Sequence, residues 1–410
     1  MDFYQEKITT IHDFATDNSV MVRHLQELSK SRPAALIIPM LYKEIKSPCL
    51  ANIRDELNKC EFINEVVISL AADSREEYEH VVRFFRKLEL NHIVVWCNGP
   101  NVSKVVDEMS EKDLDFSQFR GKGKDVWLAI GVASLNSFAI ALHDADVVTY
   151  SKDFPAKLLY PILNPDLNFL FNKGYYARIN RKQGIMYGRV FRLFVRPFLV
   201  ALQKDVNYES HVLDYLQAFR YTLAGEFAFS SDLALHLRFP ADWGLEVGLL
   251  AEVYRNSSLK RTCQTDLGFY EHKHKDAGED VSEGLSKMVN DIVLTLLRIA
   301  NETTSVHISQ SFIQSVYVKY IRFAQDLIRQ HHADAICNNL KYDRHVEERY
   351  VEVFSRIILD TGNSYQEYSH LETPHSIQMP DWKRALSAIP DLREQLRDAA
   401  LKDLDSMQSK

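Results

Sequence analysis

The sequence predicts an α/β protein built on a doubly wound mixed sheet, with a largely helical second half. Three observations carry this. Four short apolar runs stand in the first 150 residues, AALIIPML (34–41), EVVISLAA (65–72), HIVVWC (92–97) and SFAIALHDAD (137–146). Strands of a parallel sheet covered on both faces read as such continuous runs. Charged, helix-like stretches at 47–60, 74–89, 101–111 and 122–135 alternate with them, which is the pattern of β–α units. From residue 186 onward helical periodicity dominates, and the chain holds only 14 Gly and 12 Pro in 410 residues, so its elements are long and its turns few.

Taken in order, residues 1–30 read as a helical lead-in, and the four strand–helix units follow. The stretches 188–203, 210–221 and 243–255 are amphipathic, and RTCQTDLGF (261–269) reads as a returning strand. Residues 283–360 read as three long amphipathic helices. Gly362, Pro374 and Pro380 mark 361–380 as a loop, and 381–404 as a last charged helix.

The formal net charge is −7, which does not suit a general nucleic-acid binder, whose surface must neutralise phosphates. The five cysteines are scattered, without CxxC spacing, so neither a zinc site nor a disulfide framework is expected. The N-terminus has early acids and no apolar core of a signal peptide, and no run is long enough to span a bilayer. A cytoplasmic protein with no membrane partner is the expectation.

The chemistry is concentrated at the end of the fourth run, where His143 is followed by Asp144-Ala145-Asp146. Side chains at i and i+2 of a strand end point the same way, so the two carboxylates converge. A divalent cation with oxygen ligands relieves their repulsion and can also hold a diphosphate. Without a cation the pair would be two solvated acids in a turn. Upstream, Gly121-Lys122-Gly123-Lys124 precedes a helix. Glycines there admit a close ligand, and the lysines and helix N-terminus favour an anion. A His/Lys cluster, Glu271 to Lys275, follows the returning strand, and Arg178, Arg181, Lys182, Arg189, Arg192 and Arg196 form a basic stretch suited to an anionic acceptor. Glu226 and Glu246 sit among apolar and small residues, where an unpaired acid is expensive. Walker A, GxGxxG, HExxH and nucleophile-elbow motifs are absent.

The order of these motifs resembles a known family. Pro39-x-Leu41-x-x-Glu44, Gly121-Lys122-Gly123, Asp144-Ala145-Asp146, Gly188-Arg189-Val190 with Arg196-Pro197, Ala224-Gly225-Glu226-Phe227-Ala228, Gly244-Leu245-Glu246-Val247-Gly248 and Leu267-Gly268-x-x-Glu271-His272 occur in succession. This series is similar to the glucosyl-3-phosphoglycerate and mannosyl-3-phosphoglycerate synthases, retaining glycosyltransferases of family 81. The resemblance covers roughly residues 30–300. It implies a GT-A type, Rossmann-like fold: a nucleotide-sugar half (31–165), an acceptor half (166–300) and a helical extension (301–410). It also implies UDP-glucose as donor, 3-phosphoglycerate or a related small acid as acceptor, Mg²⁺ or Mn²⁺ as cofactor, and a homodimer.

By the same resemblance, Pro39, Met40, Leu41, Lys43, Ala72, Lys122, Asp144 and Ala145 would line the nucleotide-sugar site. Asp144, Asp146 and His272 would hold the metal. Gly188, Arg189, Trp243, Glu246, Tyr270 and His274 would face the acceptor, and Asp144, Asp146, Lys122 and Glu246 would carry catalysis. Four places depart from the family pattern. Lys43 stands where an acid is usual, Ala71-Ala72-Asp73-Ser74 where Asp-Ser-Gly-Ser is usual, Phe191 where Thr is usual, and Tyr270 where an acceptor-binding Arg is usual. The first two leave the nucleotide open, the last two leave plain glycerate or another small polyol acid open as acceptor, and Lys43 with Tyr270 leaves open a sugar-nucleotide-binding protein without activity. A mannosyl donor stays open from the related synthases, and a nucleotidyltransferase on a similar sheet is a further alternative, against which the glycine-free stretch MLYKEIKSPC after the first strand counts.

Overall fold

A computed structural model of the chain describes residues 3–112, 114, 119–272, 283–368 and 378–408. In chain order its strands are β1 (Thr9–Ile11), β2 (Ala34–Leu41), β3 (Glu65–Ala71), β4 (His92–Trp96), β5 (Ala139–Leu142), β6 (Phe171–Asn180), β7 (Ile185–Met186), β8 (Phe227–Ser230), β9 (Phe239–Pro240), β10 (Thr262–Tyr270) and β11 (Gln378–Met379).

The main sheet runs β1-β10-β6-β8-β5-β2-β3-β4, with β7 paired to β6. β4, β3, β2 and β5 are parallel, as are β1, β10 and β6, whereas β8 is antiparallel to both β5 and β6. From β2 the chain goes first to β3 and β4 on one side and later to β5 on the other. This reversal opens a crevice beyond the carboxyl ends of β2 and β5, where ligands of doubly wound sheets bind.

Every residue of β2 from Ala34 to Met40 is buried, as is every residue of β5. Two apolar cores lie on the two faces of the sheet. One packs helices Lys122–Ala133, Arg196–Asp205, Leu245–Asn256 and Glu283–Thr303, and the other packs Pro48–Leu57, Arg75–Phe85 and Asp153–Leu163. The helices start on local signals. Ser47 accepts a hydrogen bond from the Cys49 amide with Pro48 in the first turn, and Ser74 accepts one from the Glu77 amide.

Several elements differ from the sequence expectation. The lead-in 1–30 contains β1, which adds to the edge of β10, before its helix Ser19–Leu28. β6 and β8 were read through: β6 carries Lys173 and Gly174 among its apolar residues, and β8 is only four residues long. The expected loop 361–380 is in part helix, because Arg344–Tyr368 continues through Gly362. A Cβ on Gly362 would lie 2.7 Å from Ile313, so a close helix–helix approach explains the glycine there. The last helix is two, Trp382–Ala388 and Leu392–Gln408, broken around Pro390.

The C-terminal segment returns to cover the sheet. Trp382, fully buried, stacks on Trp127 at 4.0 Å between ring centroids. Trp127 Nε1 donates to Pro380 O at 2.8 Å, and Trp382 Nε1 donates to Trp127 O at 3.1 Å. Arg397 binds both carboxylate oxygens of Glu65, the first residue of β3, at 3.0 and 2.7 Å. The terminal helices thus brace helix Lys122–Ala133, which carries the candidate site's lysine. Truncating Trp382 to Ala leaves a cavity against Trp127 and Gly131. It is expected to lower the unfolding free energy by about 3–5 kcal/mol in urea denaturation. A loss below about 1 kcal/mol would show that the tryptophan pair does not brace the fold.

Candidate active site

Lys122 opens the helix Lys122–Ala133 directly after Gly121, whose φ of +127° an L side chain rarely adopts. A Cβ at Gly121 would meet the Ala241 carbonyl oxygen at 2.8 Å, and the Gly123 amide donates to that same oxygen at 3.0 Å. The glycine loop is therefore seated on the 240–241 backbone, and its lysine is aimed into the crevice. Lys122 Nζ donates to Asp144 Oδ1 at 2.7 Å and to Glu246 Oε1 at 3.0 Å. Burial opposes its charge, but the two carboxylates outweigh burial and hold it firmly protonated.

Asp144-Ala145-Asp146 leaves the end of β5. The preceding His143 is fully buried, neither ring nitrogen has a hydrogen-bond partner among the described residues, and burial pushes it down to about 3, so it stays neutral. Gly225 makes room for Asp144, since a Cβ there would lie 2.3 Å from Asp144 Oδ2. Asp146 is pushed up to about 7 by burial and then by the negative charges of Asp144 and Glu44, with Lys122 acting in the opposite direction. Among the described residues no basic side chain forms an ion pair with Asp146.

Two cavities meet at this point. One, of 510 Å³, is lined by Pro39, Met40, Leu41, Lys43, Glu44, Ala71, Arg120, Gly121, Asp125, Ala145, Asp242 and Lys287. Ala72 does not line it. Its carbonyl lies behind the wall, accepting from Trp96 Nε1 and Asn98 Nδ2, each at 2.9 Å, and Ala71 takes the lining position instead. The other, of 490 Å³, is lined by Gly188, Arg189, Glu246, Tyr270 and His272, together with Tyr176, Arg178, Tyr187, Tyr221 and Tyr350. Lys122, Asp144, Asp146 and Trp243 border both. His274 lies outside the described residues.

The floor of the second cavity is aromatic. Tyr176 and Tyr270 stack at 3.9 Å, and each donates its hydroxyl to one oxygen of the buried Glu226 at 2.8 Å. Burial, then Asp144, pushes Glu226 up to about 7 despite both hydrogen bonds. Tyr270 thus forms part of this floor, and a guanidinium reaches it from β6. Arg178 donates to Tyr221 Oη at 2.6 Å and to the His272 ring. Beneath the site Lys173 is fully buried without a hydrogen-bond partner among the described residues, 5.1 Å over the Phe227 ring, and burial pushes it down to about 8. Arg178 was only one of a basic stretch in the sequence, and Lys173 gave no signal there, because strand β6 itself was not legible.

Asp144 and Asp146 fit a hard divalent cation: they are carboxylates, they border both cavities, and among the described residues no basic side chain forms an ion pair with Asp146, whose ionisation a cation would favour. His272 is held near them by a backbone bridge to Val147, but its ring accepts from Arg178. Among the described residues no three metal-binding side chains are gathered into one cluster. Two carboxylates leave ligand positions for phosphate oxygens and water, as Mg²⁺ sites commonly do.

The chain is 56% identical over 404 residues, 98% of both chains, to the glucosyl-3-phosphoglycerate synthase of Methanococcoides burtonii. It is 36% identical over 408 residues, again 98% of both, to that of Persephonella marina. The chain belongs to the glucosyl-3-phosphoglycerate synthase family. It is a glycosyltransferase of the GT-A fold. The fold is shared with the glucosyl-3-phosphoglycerate synthase from Mycobacterium tuberculosis in complex with Mg²⁺ and UDP. That likeness has a TM-score of 0.52 at 20% identity and covers 72% of this chain and 88% of that one. The same synthase in complex with Mn²⁺, UDP-glucose and phosphoglyceric acid matches equally, with a TM-score of 0.52. No family model matches the chain. No helix among the described residues is long and apolar enough to cross a membrane.

The raised Asp146 carboxyl has a consequence for a synthase measured without metal. The folded chain keeps a proton that the unfolded chain releases near pH 3.8. The associated stability is fully present below that pH and is lost as pH rises towards about 7. In chelator-treated protein the Asp146→Asn variant is expected to lose less melting temperature than wild type between about pH 5 and pH 8. Equal slopes would show that Asp146 ionises without cost.

Proposed function

We propose that this synthase transfers glucose from UDP-glucose to the free hydroxyl of 3-phosphoglycerate, with retention of anomeric configuration and with Mg²⁺ or Mn²⁺ bound. The observation that carries the reading is the meeting of two cavities at one lysine–carboxylate cluster. The cavity at the ends of β2 and β5 is the donor side, and the cavity holding Arg178 and Arg189 is the acceptor side. Two guanidinium groups suit an acceptor with two anionic groups. The named relatives and the ligands of the mycobacterial structures point the same way.

In the reaction, the bond between the anomeric carbon and the β-phosphate oxygen breaks, and the acceptor oxygen bonds to that carbon. The hydroxyl proton passes to the departing phosphate oxygen, giving glucosyl-3-phosphoglycerate and UDP. Lys122, held between Asp144 and Glu246, directs a fixed positive charge at the junction of the cavities, where the leaving diphosphate gains charge. A divalent cation held by Asp144 and Asp146 supplies further charge there. Neither Glu226 nor Glu246 suits a covalent nucleophile. Glu226 accepts from two tyrosines and is readily protonated, and Glu246 is paired with Lys122. Attack from the leaving-group face is thus the reading consistent with retention. The cysteines, all free, suit a reducing cytoplasm.

The test is product formation by mass spectrometry from UDP-glucose, 3-phosphoglycerate and Mn²⁺. Asp144→Ala is expected to abolish transfer with the melting curve preserved, and Lys122→Ala to lower kcat by about 10²–10³. A folded Asp144→Ala protein turning over at the wild-type rate removes the reading.

A further inference from the structure

We infer that the C-terminal helix Arg344–Tyr368 completes the acceptor site, with Glu347 and Tyr350 as positioning residues for Arg189. The inference rests on the proposed function, in which Arg189 binds an anionic group of the acceptor.

Arg189 follows Gly188 and leads into the π-helical turn Val190–Val195. Such turns are rare and widen the helix locally, and Pro197 soon after removes one backbone donor. From this turn Arg189 and Arg192 both reach Glu347, whose side chain is 4% exposed. Arg189 Nε donates to Glu347 Oε1 at 2.7 Å, and the Arg192 guanidinium donates to Glu347 Oε2 at 2.9 Å. The Arg189 guanidinium lies 4.8 Å over the ring of Tyr350, one helical turn after Glu347.

Among the described residues, the hydrogen bond to Arg189 goes through Nε alone. Among the described residues its two terminal amino groups form no hydrogen bond, and Arg189 and Tyr350 both line the second cavity. One edge is pinned, one face is covered, and the forked edge is left for a carboxylate or phosphate. The link to the acceptor half is also made by backbone. The Lys341 amide donates to Gly184 O at 2.6 Å, and Asp343 caps the helix by accepting from the Val346 amide at 3.2 Å. Ordering a long side chain beforehand removes an entropy cost from acceptor binding.

Glu347→Gln and Tyr350→Leu test this in the full chain, by steady-state kinetics with 3-phosphoglycerate and UDP-glucose varied in turn. The expected result is a roughly tenfold rise in KM for 3-phosphoglycerate in each, the order seen for lost orienting partners, with KM for UDP-glucose within about a factor of two. Glu347→Asp is expected to recover part of the loss. An unchanged acceptor KM in folded Glu347→Gln overturns the inference. A lowered acceptor KM also overturns it, because Glu347 would then be competing with the acceptor for Arg189. Equal changes in both KM values with a fallen melting temperature overturn it as well, in favour of a purely structural ion cluster. Arg189→Lys separates the two levels: if it raises acceptor KM while Glu347→Gln does not, only the positioning role fails. If Arg189→Lys leaves acceptor KM unchanged, the acceptor cavity is misassigned and the positioning role falls with it.

Discussion

The rest of the site depends on one ion cluster, Lys122 between Asp144 and Glu246. Its three members come from a helix start, a strand end and a second helix start, 124 residues apart at the widest. A half-buried ammonium with two carboxylate partners is favourable only when each is held at hydrogen-bond distance. That requirement explains the small residues around it. Gly121 and Gly123 let the loop seat on the 240–241 backbone, and Gly225 leaves space for the Asp144 carboxylate. The cluster thus ties the parallel half of the sheet to the region that follows β8.

Around this cluster, charged side chains line both cavities. The cavity at the ends of β2 and β5 carries Glu44, Asp125 and Asp242 with Lys43, Arg120 and Lys287. The second cavity carries Arg178 and Arg189 over an aromatic floor, and Lys122, Asp144 and Asp146 border both. The carboxylate pair where the cavities meet suits a cation with a diphosphate, and the guanidinium groups of the second cavity suit a small acid. Glu226, locked by two tyrosines, and neutral His143 lie behind the reacting groups and fill space without adding mobile charge.

Much of the parallel half was legible because its strands are uninterrupted apolar runs and its helices alternate with them. Asp144, Asp146 and Lys122 were legible because they sit at element ends, where polar residues in an apolar setting stand out. β1, β6 and β8 were not. β1 is three residues long, β8 is four, and β6 interrupts its apolar pattern with the buried Lys173, so periodicity had nothing to register. Arg178 was visible as a charge, but not as a cavity residue, for the same reason. The break at Pro390 and the continuation through Gly362 went unread because composition marks turns more strongly than tertiary packing does.

By itself the sequence determined the fold class, the crevice at the strand ends and the residue types that meet there, since local periodicity and burial preference are properties of short stretches. Only the tertiary structure decided which arginines line the second cavity, that Ala71 and not Ala72 lines the cavity at the ends of β2 and β5, and that residues beyond 340 reach the site at all. Those outcomes depend on pairing between segments up to 158 residues apart in the chain. No local pattern encodes such a distance. It is set by which strands become neighbours and which helices close over them.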